Sequence, residues 1–269
     1  MFQGKWRNCG VLAAVVMSSI IVLASCAPAA TPTPQVIEKV ETKVVVVTPT
    51  PAPPAPLPDV IKIGVYEPMT GAFAAGGEMT YEGIELAHEY KAQVLGKPVD
   101  VVLVDNKTDK TEAATAMSRL IEAEKVVGVI GSYGSSLSMA GGEVSEKAGI
   151  PVVGCSPTNP LVTKGKKYYC RVCFIDPFQG AVLATYAYEK LGAKKVAIIQ
   201  DVAQDYSIGI TSFFRDKWNA LSGDPKTVVA LTSYQTGDTD FTAQLTYAIG
   251  KNPDAIVTTG YYGEVALLA

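Results

Sequence analysis

Histidine is almost missing from this sequence. One residue, His88, serves 269 positions, so the histidine-dependent catalytic and metal sites common in enzymes have next to nothing to be built from. Charge is scarce as well. Asp, Glu, Lys and Arg make up 18% of the chain, and 23 basic residues stand against 26 acidic ones for a net charge of −3. There is no basic surplus to attract nucleic acid and no long basic run to hold an acidic membrane. What the chain has in quantity is apolar side chains, 48% of the total. That supports a sizeable core and argues against wholesale disorder. The length allows one large domain or two of ordinary size.

The first 25 residues read as an address. Lys5 and Arg7 precede an uncharged stretch from Gly10 to Ser25 that ends on Leu23-Ala24-Ser25-Cys26. A basic start, an apolar middle and small residues at the end are the parts of an export signal. The apolar stretch is shorter than the roughly 20 residues a spanning helix needs. The four residues ending at Cys26 resemble the lipobox of bacterial lipoproteins, which implies cleavage at residue 25 and a diacylglycerol on the Cys26 thiol. Acyl chains would then anchor the protein at about 0.8 kcal/mol per buried methylene. The alternative is an uncleaved anchor helix, and both place the remainder outside the cytoplasm.

Residues 26–58 hold nine of the 17 prolines, mixed with Thr, Ala and Val. Such a segment favours extended, solvated backbone and is expected to act as a semi-rigid tether. The folded part is expected from residue 59.

From there, short β-branched runs alternate with segments of helical period. The runs are Val60–Val65, Val99–Val104, Val126–Ile130, Ile150–Val153, Val196–Ile199, Val228–Leu231 and Ala255–Thr258. Most lack polar alternation, which suits parallel strands covered on both faces. Ala113, Met117, Leu120 and Ile121 share one helical face; Ile210, Phe213, Phe214, Trp218 and Leu221 share another. Gly96, Gly149, Gly192, Gly223 and Gly250 are placed to end helices. The pattern predicts an open α/β fold with right-handed crossovers.

In such sheets ligands bind beyond the carboxyl ends of the strands, so the loops there hold the candidate site. Gly131-Ser132-Tyr133-Gly134-Ser135-Ser136 follows one strand and precedes a segment able to be helical. Two hydroxyls at a helix start form a corner suited to a carboxylate; the alternative is simple helix capping by one serine. Gly154-Cys155-Ser156-Pro157-Thr158-Asn159-Pro160 follows the next strand.

Other chemistries find less support. Cys170-Arg171-Val172-Cys173 has redox or zinc spacing, but its aromatic surroundings look extended, which would turn the two thiols to opposite faces. A disulfide using Cys155 is compatible with an oxidising compartment. Asp105–Thr111 starts like a calcium loop, but Lys107 and Lys110 occupy positions that need an oxygen ligand and a glycine. No dinucleotide or phosphate-loop fingerprint is present, so no cofactor is expected.

Taken together in order, Ile61–Gly64 with Met69-Thr70-Gly71, the Gly131–Ser136 loop, and Gly149–Val153 running into Ser156–Pro160 become recognisable. So do Arg171 with Asp176 and Gln179-Gly180, Lys195–Ile199, Tyr206, Gly237–Phe241 and Pro253–Val257 before Gly260-Tyr261. This series resembles the type I periplasmic solute-binding proteins, and within them the branched-chain amino acid binding components of ABC importers. The resemblance runs from Val60 to the last residue. It implies two α/β lobes, residues 59–175 and 176–269, closing over a ligand. Ser135 and Thr158 would hold the ligand carboxylate with the Ser156 N–H, and Ser136 would stand beside them. Tyr206 and Tyr261 would cover the ligand from the second lobe. Asp176, near the crossover, is a candidate to face its ammonium group, although the acid that usually holds that group falls in the family's segment beyond residue 269. Gly76 stands where the family often has a larger contact residue, which predicts a thin pocket wall.

The implied partners are a small amino acid or amide, ABC permease subunits and the membrane through the lipid anchor. No reaction is expected. Other readings are an extracellular sensing domain of the same fold, an enzyme for which no catalytic base is found, and a fragment without function. The family's later strands do not follow Ala269, so the second lobe is expected to be incomplete, with an exposed sheet edge and bare apolar faces. A sharp, reversible two-state melt of the 269-residue chain would contradict that expectation.

Overall fold

The computed structural model describes residues 58–269. The export segment, Cys26 and the proline-rich tether lie outside the described residues. Each of the seven β-branched runs falls on a strand, and the strands form two sheets.

The first sheet is built around β1 (Ile61–Glu67), flanked by β3 (Lys97–Asp105) and β4 (Gly128–Ile130). Beyond β4 come β5 (Val152–Gly154) and β6 (Tyr169–Arg171). All these pairs are parallel. Only the two-residue β2 (Gln93–Val94) pairs antiparallel, as a hairpin on the β3 edge. Helices α1 (Ala74–Tyr90), α2 (Lys110–Glu122) and α3 (Ser135–Ala148) make the crossovers. The second sheet has β7 (Val196–Asp201) between β8 (Val228–Tyr234) and β9 (Ala255–Thr259), all parallel. Its helices are α4 (Asp176–Thr185), α5 (Asp205–Ser222), α6 (Thr242–Ile249) and α7 (Tyr262–Leu268). Among the described residues no helix is long and apolar enough to cross a membrane.

The unalternating strands have the expected cause. On β7, Val196 and Ile198 enter a core with Phe214 and Trp218, while Ala197 and Ile199 enter a separate core with Tyr234 and Phe241. A strand covered on both faces needs apolar residues at every position. The predicted helical stripes also pack inward: Ala113, Met117 and Leu120 are fully buried, as are Phe214 and Trp218.

One of the glycine assignments needs correction, and Gly250 ends its helix without the left-handed conformation. Gly149 and Gly223 close α3 and α5 in the left-handed conformation as predicted. Gly96, however, forms the β2–β3 hairpin turn with Leu95, both at positive φ (74° and 53°), and caps no helix. Gly250 follows α6 at φ −60°, so its glycine is not required there by the backbone. The Cys170 segment is extended, as β6. Among the described residues Cys155, Cys170 and Cys173 are free thiols, so no disulfide joins Cys155 to another described cysteine. The calcium-like Asp105–Thr111 segment joins β3 to α2. There Asp109 caps the helix by accepting from the N–H groups of Thr111 and Glu112.

Close packing of α4 on α5 depends on Gly180. A Cβ there would meet the Phe213 Cβ at 2.7 Å and the Phe214 backbone N at 2.8 Å. Gly83, on α1, faces open space. Replacing a helical glycine with alanine gains up to about 1 kcal/mol from backbone entropy, whereas overpacking against backbone costs about 1–3 kcal/mol. The two substitutions should therefore have opposite signs. Gly83→Ala is expected to raise the melting temperature by a few degrees and Gly180→Ala to lower it, as measured by circular dichroism.

Candidate functional site

Parallel strands release their loops at one rim, and the site is built where the loops after β4 and β5 meet the starts of α3 and α5. The loop after β4 is held by a buried polar network. The Asn106 amide donates to the Tyr66 carbonyl (3.1 Å) and to the Ser132 hydroxyl (2.9 Å). The Ser138 hydroxyl donates to the Ser132 carbonyl (2.8 Å), and Tyr169 donates to the Gly131 carbonyl (2.6 Å). The Tyr66 ring reaches α3 because Gly141 leaves room: a Cβ there would lie 2.5 Å from the ring.

The loop after β5 is clamped by Arg171, the last residue of β6. Its guanidinium donates to the carbonyls of Pro157 (2.9 Å), Asn159 (2.7 Å) and Pro160 (3.2 Å) and to the Thr163 hydroxyl (2.6 Å). A rigid, permanently charged fork suits this task better than a lysine would. Asn159 completes the loop, with its N–H donating to the Ser135 hydroxyl at 3.1 Å.

These constraints shape a cavity of about 230 Å³ lined by Tyr133, Gly134, Ser135, Ser156 and Thr158 on one side and by Gln179, Tyr206, Gly260, Tyr261 and Tyr262 on the other. It is smaller than the roughly 300–1,000 Å³ of drug-sized sites, which fits a small metabolite. Five of the seven sequence-predicted residues line it: Ser135, Ser156, Thr158, Tyr206 and Tyr261. No serine caps α3. Its N-cap is Gly134, with no side-chain cap, so the capping alternative for Ser135 and Ser136 fails.

Two predicted residues lie elsewhere. Ser136 turns away from the cavity, because its hydroxyl donates to the Asp205 carboxylate (2.8 Å) and accepts from the Asp205 N–H (2.9 Å). One position along a helix turns a side chain by about 100°, so neighbouring serines cannot share a target. Asp176 is fully buried behind the lining, and neither carboxylate oxygen has a hydrogen-bond partner. Burial raises its pKa to about 6, with the Thr158 hydroxyl and the Arg171 guanidinium pulling the other way.

The thin wall expected at Gly76 is instead filled by Tyr133, whose ring lies where a Cβ of residue 76 would be, within 2.5 Å. Tyr133 belongs to an aromatic seam. Tyr261 packs on Phe73 (centroids 4.0 Å apart), Tyr206 (5.3 Å) and Tyr133 (5.9 Å). Tyr206 accepts from the Gln179 amide at 3.0 Å. Tyr133, Gln179 and Tyr262 are lining residues that sequence reasoning did not single out. All three stand inside or beside motifs that it did quote. The lone His88 has no part in the cavity; its Nε2 pairs with the Val99 carbonyl at 3.0 Å.

Glu67, at the end of β1, underlies this wall. It is fully buried, and one carboxylate oxygen accepts the Tyr133 N–H at 2.6 Å while the other has no partner. Burial raises its pKa to about 8, against the opposing effect of that N–H. The folded state thus holds a proton that an unfolded glutamate releases near pH 4.5. Its contribution to stability is present below that pH and is lost as pH rises toward 8. Glu67→Gln, which keeps an acceptor for Tyr133, is expected to match the parent melting temperature at pH 4 and exceed it increasingly up to about pH 8, with no further gain above that. Thermal melts across that range check this.

Comparison with known proteins agrees with this architecture. Residues 60–269 match the family model described as periplasmic binding protein. The chain is 32% identical over 216 residues to an amino acid binding protein of Pseudomonas aeruginosa, covering 79% of this chain and 56% of that one. Among solved structures, a leucine binding protein from Thermotoga maritima is 48% identical with a TM-score of 0.73, over 77% of this chain and 58% of that one. A branched-chain amino acid transporter substrate binding protein from Streptococcus pneumoniae, in complex with isoleucine, is 37% identical with a TM-score of 0.71. That match covers 78% of this chain and 59% of the other. An R. palustris ABC transporter solute binding protein in complex with 4-hydroxybenzoate is 28% identical with a TM-score of 0.65, covering 74% of this chain and 53% of that one. The chain spans little more than half the length of the relatives it matches.

Proposed function

The chain belongs to the periplasmic binding protein family, and from that premise we propose that it serves as the solute-binding component of an ABC importer for a branched-chain amino acid. In this reading it is held outside the cytoplasm by a lipid on Cys26, hands its ligand to permease subunits and catalyses no reaction. The observation that carries the proposal is the cavity's donor corner, Ser135, Ser156 and Thr158, facing the tyrosines across the cleft.

The physical argument starts from hydration. A zwitterion leaving water loses strong hydrogen bonds at both ends, and each must be replaced. At the carboxylate end, the start of α3 offers backbone N–H groups. Ser156 offers a buried hydroxyl without a partner, and the Thr158 hydroxyl lines the same corner. No lysine or arginine side chain lines the cavity, which suits a single carboxylate held by dipoles better than a phosphate. The aromatic seam would exclude water, and hydrogen bonds strengthen where the surroundings are dry.

The ammonium end separates an amino acid from an aromatic acid such as the one held by the R. palustris protein. Two buried Asp176 oxygens without partners are costly in the empty state; Asp176 does not line the cavity, so in this reading it meets a cationic group only after the lining in front of it moves. That cost favours a zwitterion over a simple carboxylic acid.

Calorimetry with leucine on the full chain tests the reading. Ser135→Ala and Thr158→Ala are each expected to weaken binding by roughly tenfold or more, the scale of one charge-assisted hydrogen bond. Unchanged affinity would remove those residues from the site. Because the Asp176 pKa is raised to about 6, protonation should weaken leucine binding as pH falls through that value. Asp176→Asn should flatten the profile, and a profile identical to the parent's would take Asp176 out of the ammonium role.

A further inference from the structure

Ser136, freed from the ligand cavity, takes part in a different arrangement. Asp205 opens α5, beyond the end of β7 in the second sheet. Its contacts lie on elements of the first. The carboxylate accepts from the Ser136 hydroxyl on α3 at 2.8 Å and pairs with the Lys110 ammonium at the start of α2 at 3.1 Å. Its N–H donates to the same Ser136 oxygen at 2.9 Å, and its carbonyl accepts from the Asn159 amide in the loop after β5 at 2.8 Å. None of these four residues lines the cavity.

We propose that Asp205 is a closing latch, a residue that touches no ligand yet holds the two halves of the molecule together through Ser136, Lys110 and Asn159. The Ser136 hydroxyl uses its donor and its acceptor on the same partner residue, so both bonds form only when α3 and α5 approach. The Lys110–Asp205 pair alone would contribute little, because both side chains remain substantially exposed. The serine exchange is better protected, since Ser136 is almost fully buried. All four residues can hydrate when the halves separate, so the latch is reversible. It biases an open–closed equilibrium, and apparent affinity scales with the population of the competent state. Only this last consequence, for affinity, rests on the solute-binding reading; the effect on the separation of the halves needs no ligand.

Small-angle X-ray scattering of the full chain without ligand, paired with leucine calorimetry, tests the latch. Asp205→Ala and Ser136→Ala are each expected to raise the radius of gyration of the ligand-free protein and to raise the leucine Kd about five- to tenfold. The double variant should fall short of the sum of the two single effects, because both remove the Ser136–Asp205 side-chain bond. Lys110→Ala, on an exposed helix start, should give a smaller change that high salt abolishes in the parent comparison. It keeps the test available should Asp205→Ala fail to fold. A raised Kd in Ser136→Ala with an unchanged radius would mean that Ser136 touches the ligand, and would overturn the latch. So would unchanged values of both quantities. If the parent protein does not bind leucine, the proposed ligand fails while the scattering comparison still decides the latch.

Discussion

A parallel sheet can be closed only by crossovers that pass over its faces, so the loops leaving the carboxyl ends of its strands emerge together at one rim. In this protein that constraint gathers the loops after β1, β4 and β5 from one sheet and faces them with the start of α5 and the loop after β9 from the other. The rim is then fixed by hydrogen bonds and not by apolar contact alone. Arg171 holds four acceptors of the loop after β5, and Asn106, Ser132, Ser138 and Tyr169 hold the loop after β4. Removing water from such a rim is tolerable only because nearly every polar group in it already has a protein partner.

The exceptions are therefore informative. Among the buried oxygens without a partner, those of Ser156, Asp176 and Glu67 lie in or behind the cavity lining and its Tyr133 wall. Glu67 and Asp176 are both carboxyl groups whose ionisation burial opposes, but their surroundings differ. Glu67 holds the backbone of Tyr133 and so belongs to the wall. Asp176 holds nothing with either oxygen, and the proposed ammonium contact rests on that.

Much of this was legible in the sequence, and the reasons are specific. Central strands buried on both faces are written as continuous apolar runs, so Val196–Ile199 announced β7 without any structure. The donor corner was legible because glycine, serine and threonine follow directly on such runs. What escaped was anything decided by rotation or by a distant neighbour. Ser135 and Ser136 are indistinguishable as letters, and only the helical turn sends one to the cavity and the other to Asp205. Gly76 read as a gap, because the sequence does not show that Tyr133, 57 positions later, fills it. Gly96 read as a helix end because a hairpin turn and a helix cap ask the same positive φ of glycine.

If the proposed cavity and latch act together, they divide the work of recognition in a way that follows from this geometry. Groups lining the cavity can discriminate among solutes, because they meet one solute's atoms and not another's. The Asp205 contacts cannot discriminate, since they are the same whatever lies between the halves. They add a constant to the closed state. A strong constant would close the molecule without ligand and obstruct entry and release; a weak one would leave affinity to the cavity alone. An exposed ion pair combined with one serine exchange, each able to return to water, falls between these limits. On the proposed solute-binding reading, that intermediate strength is what a reversible carrier requires, because a solute must be gripped firmly enough to exclude water and still be given up.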